Sequence, residues 1–265
     1  MQLAGNAAVV TGASSGVGRA TALALAERGC SVLVNYSRSK QEAEEVVHLA
    51  HQRGVKALAF QADVADDAQC RRMIDQAAAS FGRLDLLVNN AGVTRFVAHA
   101  ALDELRDEDW DRAFAVNVKG AFHCARAAQP YLLAGGGGSI VNVASVAGIS
   151  ATGSSIAYAA SKAALINMTI ALARAMAPKI RVNAVAPGFI AGRWLEQGLG
   201  PFYEMAKTKM EQRVPLERVC QPEDVAAAIL SLLTGSQLVT GQTLVCDGGM
   251  LITDISTLGT TRRAT

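Results

Sequence analysis

The sequence predicts an α/β fold: a single doubly wound domain whose seven-stranded parallel sheet carries helices on both faces. Three observations predict it. Short apolar runs alternate with longer stretches of helical character. The apolar runs are continuous rather than alternating, as expected of strands buried on both faces of a parallel sheet. A glycine-rich turn, VTGASSGVGRA at residues 10–20, joins the first apolar run to the first helix, and doubly wound sheets bind ligands beyond the carboxyl ends of their strands.

Taken in order, residues 7–12 (AAVVTG) read as the first strand, and 21–29 as a helix that stops at Gly29. The second strand spans 31–36 (SVLVNY), followed by a polar-faced helix over 39–54 that Gly54 closes. The third strand lies within 56–64 and the fourth within 85–92 (DLLVNNAG). A helix over 107–133 precedes the fifth strand, 138–145, with the flexible turn AGGGG at 134–138 between them. A helix over 155–177 leads to the sixth strand, 180–188, and the seventh falls at 243–249. Right-handed crossovers place the helices on both sides of the sheet. No linker, repeat or shift of composition divides the chain. Residues 1–252 read as one domain, and 253–265 as a tail without core periodicity.

Composition narrows the function. The 265 residues are 51% hydrophobic and 18% charged, which excludes a disordered chain. The net charge of +2 is spread along the sequence, so no nucleic-acid partner is expected. No uninterrupted apolar run is long enough to cross a bilayer, and no basic segment leads into an apolar one at the start. A cytoplasmic enzyme without a membrane partner is the expectation. The five cysteines are odd in number, far apart and lack a C-x-x-C, which argues against disulfides and zinc. His48 and His51 fall on a polar helix face with no third ligand nearby, so no metal is expected.

The glycine turn carries the first chemical signal. Gly12, Gly16 and Gly18 are spaced G-x-x-x-G-x-G. A helix opening here offers free N–H groups and the positive end of its dipole to a pyrophosphate. Gly12 permits the tight turn, while Gly16 and Gly18 remove Cβ atoms where backbone approaches a phosphate or the sheet. Arg19-Ala20 follows the last glycine where a phosphate-loop kinase or ATPase has Lys and then Ser or Thr.

Further segments fit one family. TGASSGVG resembles the cofactor loop of the short-chain dehydrogenase/reductases, and NNAG (89–92) resembles their NNAG motif. Asn117 in AVNVKGAF matches their active-site asparagine. Ser145, Tyr158 and Lys162 match their Ser…YxxxK signature, VNAVAPG (182–188) their Pro-Gly segment, and VTGQTLVCDGG their C-terminal strand. The resemblance covers almost the whole chain, with every motif in order. It implies a Rossmann fold that binds a nicotinamide dinucleotide and moves a hydride between it and a carbonyl or secondary alcohol. It further implies a lid at about 190–213, and a homotetramer with the helices at 155–177 and 109–133 at subunit contacts.

The residues make chemical sense of that implication. A phenol titrates near ~10 and is a poor base at neutral pH. Lys162 follows Tyr158 by four residues on one helix face, and a nearby ammonium is expected to lower the pKa of the tyrosine. That suits a group exchanging a proton with a substrate oxygen. Ser145, ending the fifth strand, can hydrogen-bond the same oxygen. By resemblance, Lys162 also holds the nicotinamide ribose, and Asn117 supports a water-linked proton relay. The cofactor contacts implied are Ser14, Ser15 and Val17 with the three glycines, then Tyr36, Ser37 and Arg38, and then Asp63 and Val64. Asn90, Ala91, Gly92, Tyr158, Lys162, Pro187, Gly188 and Ile190 complete the set. Asp63 is also a candidate N-cap of the next helix.

An acidic residue after the second strand selects NAD, and a basic one accommodates the 2′-phosphate of NADP. Here VNY is followed by Ser37 and Arg38. The planar guanidinium of Arg38 suits a phosphate, so NADP(H) is preferred, with NAD(H) as the alternative. Ser15 stands where many NADP-preferring relatives carry a second basic residue.

VNYSRSKQEAEEVV and VNNAGVT resemble the 3-oxoacyl-acyl-carrier-protein reductase branch. Members of that branch dock the acidic carrier protein on basic residues. Here Arg174 is retained, but YLLAGGGGSIVN has no Lys or Arg. Acyl-carrier protein therefore remains a partial expectation, beside a coenzyme A thioester, a small ketone or a diketone. Gly192 stands where the family has a threonine that contacts the nicotinamide carboxamide. Trp194, Leu195, Leu199, Phe202, Tyr203 and Met205 either line an apolar substrate pocket or pack the lid onto the core. Two other readings are a non-catalytic nucleotide-binding scaffold on the same fold and a sugar-nucleotide epimerase. The intact Tyr158 set argues against the first, the glycine spacing against the second.

Overall fold

The computed structural model describes residues 2–253, so the tail expected at 253–265 lies, but for Thr253, outside the described residues. Seven strands form one all-parallel sheet in the order β3-β2-β1-β4-β5-β6-β7. In chain order the elements are β1 (Ala7–Val10), α1 (Gly16–Ala26), β2 (Ser31–Tyr36), α2 (Lys40–His51), β3 (Ala57–Gln61), α3 (Asp67–Phe81) and β4 (Leu86–Asn89). There follow α4 (Asp107–Phe114), α5 (Ala121–Ala134), β5 (Gly138–Val143), a short α6 (Ala147–Ser150), α7 (Ile156–Met176) and β6 (Ile180–Pro187). The segment expected as a lid contains α8 (Arg193–Leu199) and α9 (Tyr203–Arg213); α10 (Pro222–Thr234) follows, and β7 (Thr243–Cys246) completes the sheet.

Because successive strand residues face opposite sides, the continuous apolar runs feed two cores. Val10, Val32, Val34, Leu86 and Val88 pack beneath α1, α2 and α10. Val9, Leu33, Leu87 and Ile140 pack against α3, α5 and α7. Leu33, Leu87 and Ile140 are fully buried, each contributing about 1.5–3 kcal/mol of apolar burial. Helix α7 is long and apolar enough to cross a membrane by length and composition, but it packs on β6 and α6 and contributes Leu165, Leu172 and Met176 to the core.

The strands are shorter at their carboxyl ends than the sequence suggests. Gly12 and residues 90–92 and 144–145 leave the sheet and line a crevice instead. Strand order reverses between β1 and β4, the switch point at which this topology opens to a ligand.

Several elements depart from the sequence reading. Helix α1 begins at Gly16, five residues before the expected 21, so the last two glycines of the loop lie inside its first turn. The expected helix over 107–133 is split by a π-helical segment at Ala115–Gly120. The sequence reading named no helix over 67–81 or 222–234. Helix α3 is capped by Asp66, whose side chain accepts from Gln69 N, and it ends at Gly82 in the left-handed region. Asp63 is thus not the N-cap. Its side chain instead accepts from Ala65 N and from Arg112. Helix α10 opens with Pro222 and a reciprocal Gln221–Asp224 capping box.

Candidate active site

The glycine loop is built by its neighbours. Gly12 N donates to the Asn35 side chain at 3.0 Å, and that buried asparagine also donates to the carbonyls of Phe60 and Ala62. Asn90 Nδ2 donates to the carbonyls of Thr11 (2.9 Å) and Gly12 (3.0 Å), while Thr11 Oγ1 accepts from Asn90 N and Ala91 N. The NNAG segment is therefore a clamp that fixes the loop against β4. Gly18 is where a side chain has no room: a Cβ would meet the Gly12 carbonyl, Asn90 Nδ2 at 2.6 Å and Ala13 Cα at 2.8 Å. Gly16 has φ +53° and nothing within 4 Å of a would-be Cβ, so it faces open space.

Above the loop lies a cavity of about 1160 Å³, more than the roughly 300–1,000 Å³ typical of a single small-molecule pocket. Gly12, Ser14, Ser15, Gly16 and Val17 line its middle, while Tyr36, Ser37, Arg38, Asp63 and Val64 line one end. Asn90, Ala91, Gly92, Ser145, Tyr158, Lys162, Pro187, Gly188 and Ile190 continue to the other end. Gly18 and Asn117 stand behind the wall: Gly18 packs on the loop, and Asn117 is fully buried. Helix α1 has no side-chain cap, so its first-turn N–H groups face the cavity without a protein acceptor from Ser15. This uncapped helix start, with glycine at 16 and 18, fits a pyrophosphate, and the cavity has room for a dinucleotide.

Exposed Arg38 makes no ion pair among the described residues. Arg112, which the sequence reading did not single out, lines the cavity and holds Asp63 at 3.0 Å.

At the Tyr158 end of the cavity, Ser155 caps α7 by accepting from Tyr158 N at 3.2 Å, which fixes the start of the helix that carries the tyrosine. The Tyr158 and Ser145 hydroxyls are hydrogen-bonded, and Ser145 Oγ accepts from Ala147 N. Lys162 is buried, and its Nζ donates to the Val143 carbonyl at 2.7 Å. Burial dominates both titrations. It pushes the Tyr158 phenol up to about 12, against the hydrogen bond to Ser145, and the Lys162 ammonium down to about 8. The expected lowering of the tyrosine by the ammonium is not what this geometry gives. Lys162 Nζ lies over the ring, 5.6 Å from its centre, and is committed to Val143. The Asn117 side chain is likewise committed: it exchanges hydrogen bonds with Val93 N and O and donates to Ser161 Oγ.

The segment expected as a lid lines the same end. Trp194, Leu195, Leu199 and Phe202 line the cavity, as expected of a pocket. Tyr203 and Met205 do not. Tyr203 is buried against Phe189, with its hydroxyl accepting from Gly192 N, and Met205 is exposed. The Trp194 ring lies 6.4 Å from that of Tyr158. Phe96, Val97, His99 and residues 152–154 were not foreseen, yet they line the cavity too. Phe96 seats under Gly198, where a Cβ would collide with its ring. Its position four residues past NNAG, beyond the carboxyl end of β4, was the available signal.

Comparison with known proteins places this site in context. A family model described as enoyl-(acyl carrier protein) reductase matches residues 12–251. The chain is 40% identical over 245 residues to the 3-oxoacyl-[acyl-carrier-protein] reductase FabG of Staphylococcus aureus, covering 92% of this chain and 97% of that protein. Among solved structures, one assigned to the short-chain dehydrogenase/reductases of Burkholderia xenovorans superposes with a TM-score of 0.87. It is 38% identical and covers 93% of this chain and 98% of the other. An NAD+-bound xylitol dehydrogenase superposes at 0.86 with 30% identity, covering 94% of this chain and all of the other.

Proposed function

The chain belongs to the short-chain dehydrogenase/reductase family, a nicotinamide-dependent group of oxidoreductases, and we propose that it reduces the keto group of a 3-oxoacyl thioester with NADP(H). One observation carries the reading: a single cavity runs from the uncapped start of α1 to the Ser145–Tyr158 hydroxyl pair.

Gly12, Ser14, Ser15, Gly16 and Val17 hold the pyrophosphate, and Tyr36, Ser37 and Arg38 the adenosine ribose. Asp63 and Val64 flank the adenine. Asn90, Ala91, Gly92, Pro187, Gly188 and Ile190 frame the nicotinamide half. When bound, the nicotinamide supplies or accepts the hydride. Tyr158, held protonated at neutral pH, donates its proton to the substrate oxygen as that oxygen gains charge. Ser145 donates a second hydrogen bond to the same atom. Lys162, the one ammonium buried beside Tyr158, holds the ribose hydroxyls and keeps positive charge beneath the phenol. Because the Asn117 side chain is occupied, its part in a proton relay passes through its main-chain carbonyl in the π-helical segment.

Arg38, exposed on the cavity rim with no carboxylate partner among the described residues, supports NADP(H) over NAD(H). The FabG relative supports an acyl-carrier-protein thioester, and the xylitol dehydrogenase neighbour keeps a small alcohol or ketone and NAD(H) as the second reading. Arg174 is exposed near the end of α7 and is available to an acidic carrier. Exposed Phe122, Leu133 and Ile170 on α5 and α7 support the homotetramer. The test is turnover of 3-oxoacyl-carrier-protein, 3-oxoacyl-coenzyme A and small ketones with each cofactor. The highest efficiency is expected with a thioester and NADPH.

A further inference from the structure

Three arginines line the cavity: Arg38, Arg112 and Arg193. Arg112 is hydrogen-bonded to Asp63. Arg193 opens the lid helix α8 and spans the cleft, its Nη1 lying 3.6 Å from Glu42 Oε1 on the first turn of α2. That separation is too long for a hydrogen bond. Both side chains are about half exposed, at 53% and 42%, so the pair is weak and cheaply exchanged. The two elements it joins are the rim that carries Arg38 and the lid that carries Trp194, which rests beside Tyr158. The uncapped start of α1 lines the same cleft.

Glycines in the left-handed region flank the helix that carries Arg193. Gly192 has φ +129°, a conformation L side chains rarely adopt, and Gly200 closes α8 with φ +52°. A Cβ on either would meet nothing within 4 Å, so neither glycine is imposed by crowding. The helix between them is a short arm of 7 residues.

We propose that Arg193 is a lid-borne phosphate-binding residue: it leaves Glu42 and takes a phosphate of the dinucleotide, drawing α8 over the cavity. This rests on the dinucleotide reading above. The pyrophosphate gathers two negative charges and the 2′-phosphate of NADP(H) up to two, against one on a carboxylate, and either accepts a planar guanidinium fork in two hydrogen bonds. Glu42 then acts as the competing anion that holds the arm when no nucleotide is present. This supplies a second cation at a site where Ser15 leaves Arg38 without a basic neighbour on the glycine loop.

Isothermal titration of the native chain, Arg193→Ala, Arg193→Lys and Glu42→Gln with NADPH and with NADH tests it. Both positions are exposed, so unchanged melting temperatures are expected. Arg193→Ala should weaken binding about tenfold or more, Arg193→Lys should restore part of the loss, and Glu42→Gln should tighten binding a few-fold. Loss with both nucleotides places Arg193 on the pyrophosphate, and loss with NADPH alone places it on the 2′-phosphate. Native affinity in Arg193→Ala, or weaker binding in Glu42→Gln, overturns the proposal while leaving the dinucleotide reading intact. A native chain that binds neither nucleotide overturns the dinucleotide reading itself.

Discussion

Lys162 Nζ sits 5.6 Å from the centre of the Tyr158 ring and donates to the Val143 carbonyl at 2.7 Å. The ammonium thus lies over the ring face, held by the end of β5. Burial drives the two titrations apart: the lysine comes down to about 8 while the tyrosine rises to about 12.

The pH dependence follows with a definite sign. Tyr158 keeps its proton throughout the neutral range, so the acid needed for carbonyl reduction is present well above pH 8. Lys162 is charged below about 8 and neutral above it. The kcat/KM for reduction should be level on the acid side and fall as pH rises through about 8, by about tenfold per pH unit beyond it. Measurement between about pH 6 and about pH 10 checks this, and a profile level across the whole range contradicts it.

Gly18→Ala should cost both stability and nucleotide binding. The added methyl meets the Gly12 carbonyl and Asn90 Nδ2, the two groups whose hydrogen bond closes the loop. Overpacking of this kind costs about 1–3 kcal/mol. A melting temperature lower by several degrees, with NADPH binding lost, is the expected result. A variant that melts and binds like the native chain would show that the loop is not closed in this way.

Gly192→Ala should act on the lid alone. An L residue at φ +129° costs about 1–3 kcal/mol, and the strain is relieved by releasing α8 without disturbing the sheet. Limited proteolysis within residues 193–213 should accelerate while the global melting temperature barely moves. Equal cleavage rates would place the strain elsewhere.

Arg38→Ala should lower the catalytic efficiency with NADPH about tenfold or more and leave that with NADH unchanged, since in the proposed placement the guanidinium meets only the 2′-phosphate. Native enzyme that uses NADH better than NADPH would remove Arg38 from that role.

What the sequence disclosed was what local spacing encodes. Continuous apolar runs gave seven parallel strands, and the four-residue step from Tyr158 to Lys162 gave two side chains on one helix face. Signals for α3 and α10 were also present in the Asp66 cap, Gly82 and Pro222, and were passed over because neither helix carries a motif. Other features depend on partners distant in the chain. Asp63 is claimed by Arg112, 49 residues on, so it could not be told from a cap. Spacing puts Lys162 near Tyr158 but says nothing of Val143, which takes the ammonium's hydrogen bond, nor of the burial that reverses the expected pKa direction. The π-helical segment at 115–120 is invisible because its period differs from that of α4 and α5 by less than the apolar pattern resolves. Whether Tyr203 lined the pocket or packed on the core stayed open in the sequence, because periodicity cannot say which face of its helix meets Phe189.

The central claim is that Tyr158 delivers the proton to a carbonyl oxygen. The most direct measurement compares the native chain with Tyr158→Phe for oxidation of NADPH with a 3-oxoacyl thioester, alongside NADPH binding by titration. The account predicts a fall in kcat of about 10²–10⁴-fold with nucleotide affinity nearly unchanged, because the ring and its contacts to Trp194 and Lys162 remain. Turnover retained in the phenylalanine variant, or absent from the native chain while NADPH binds, would contradict it.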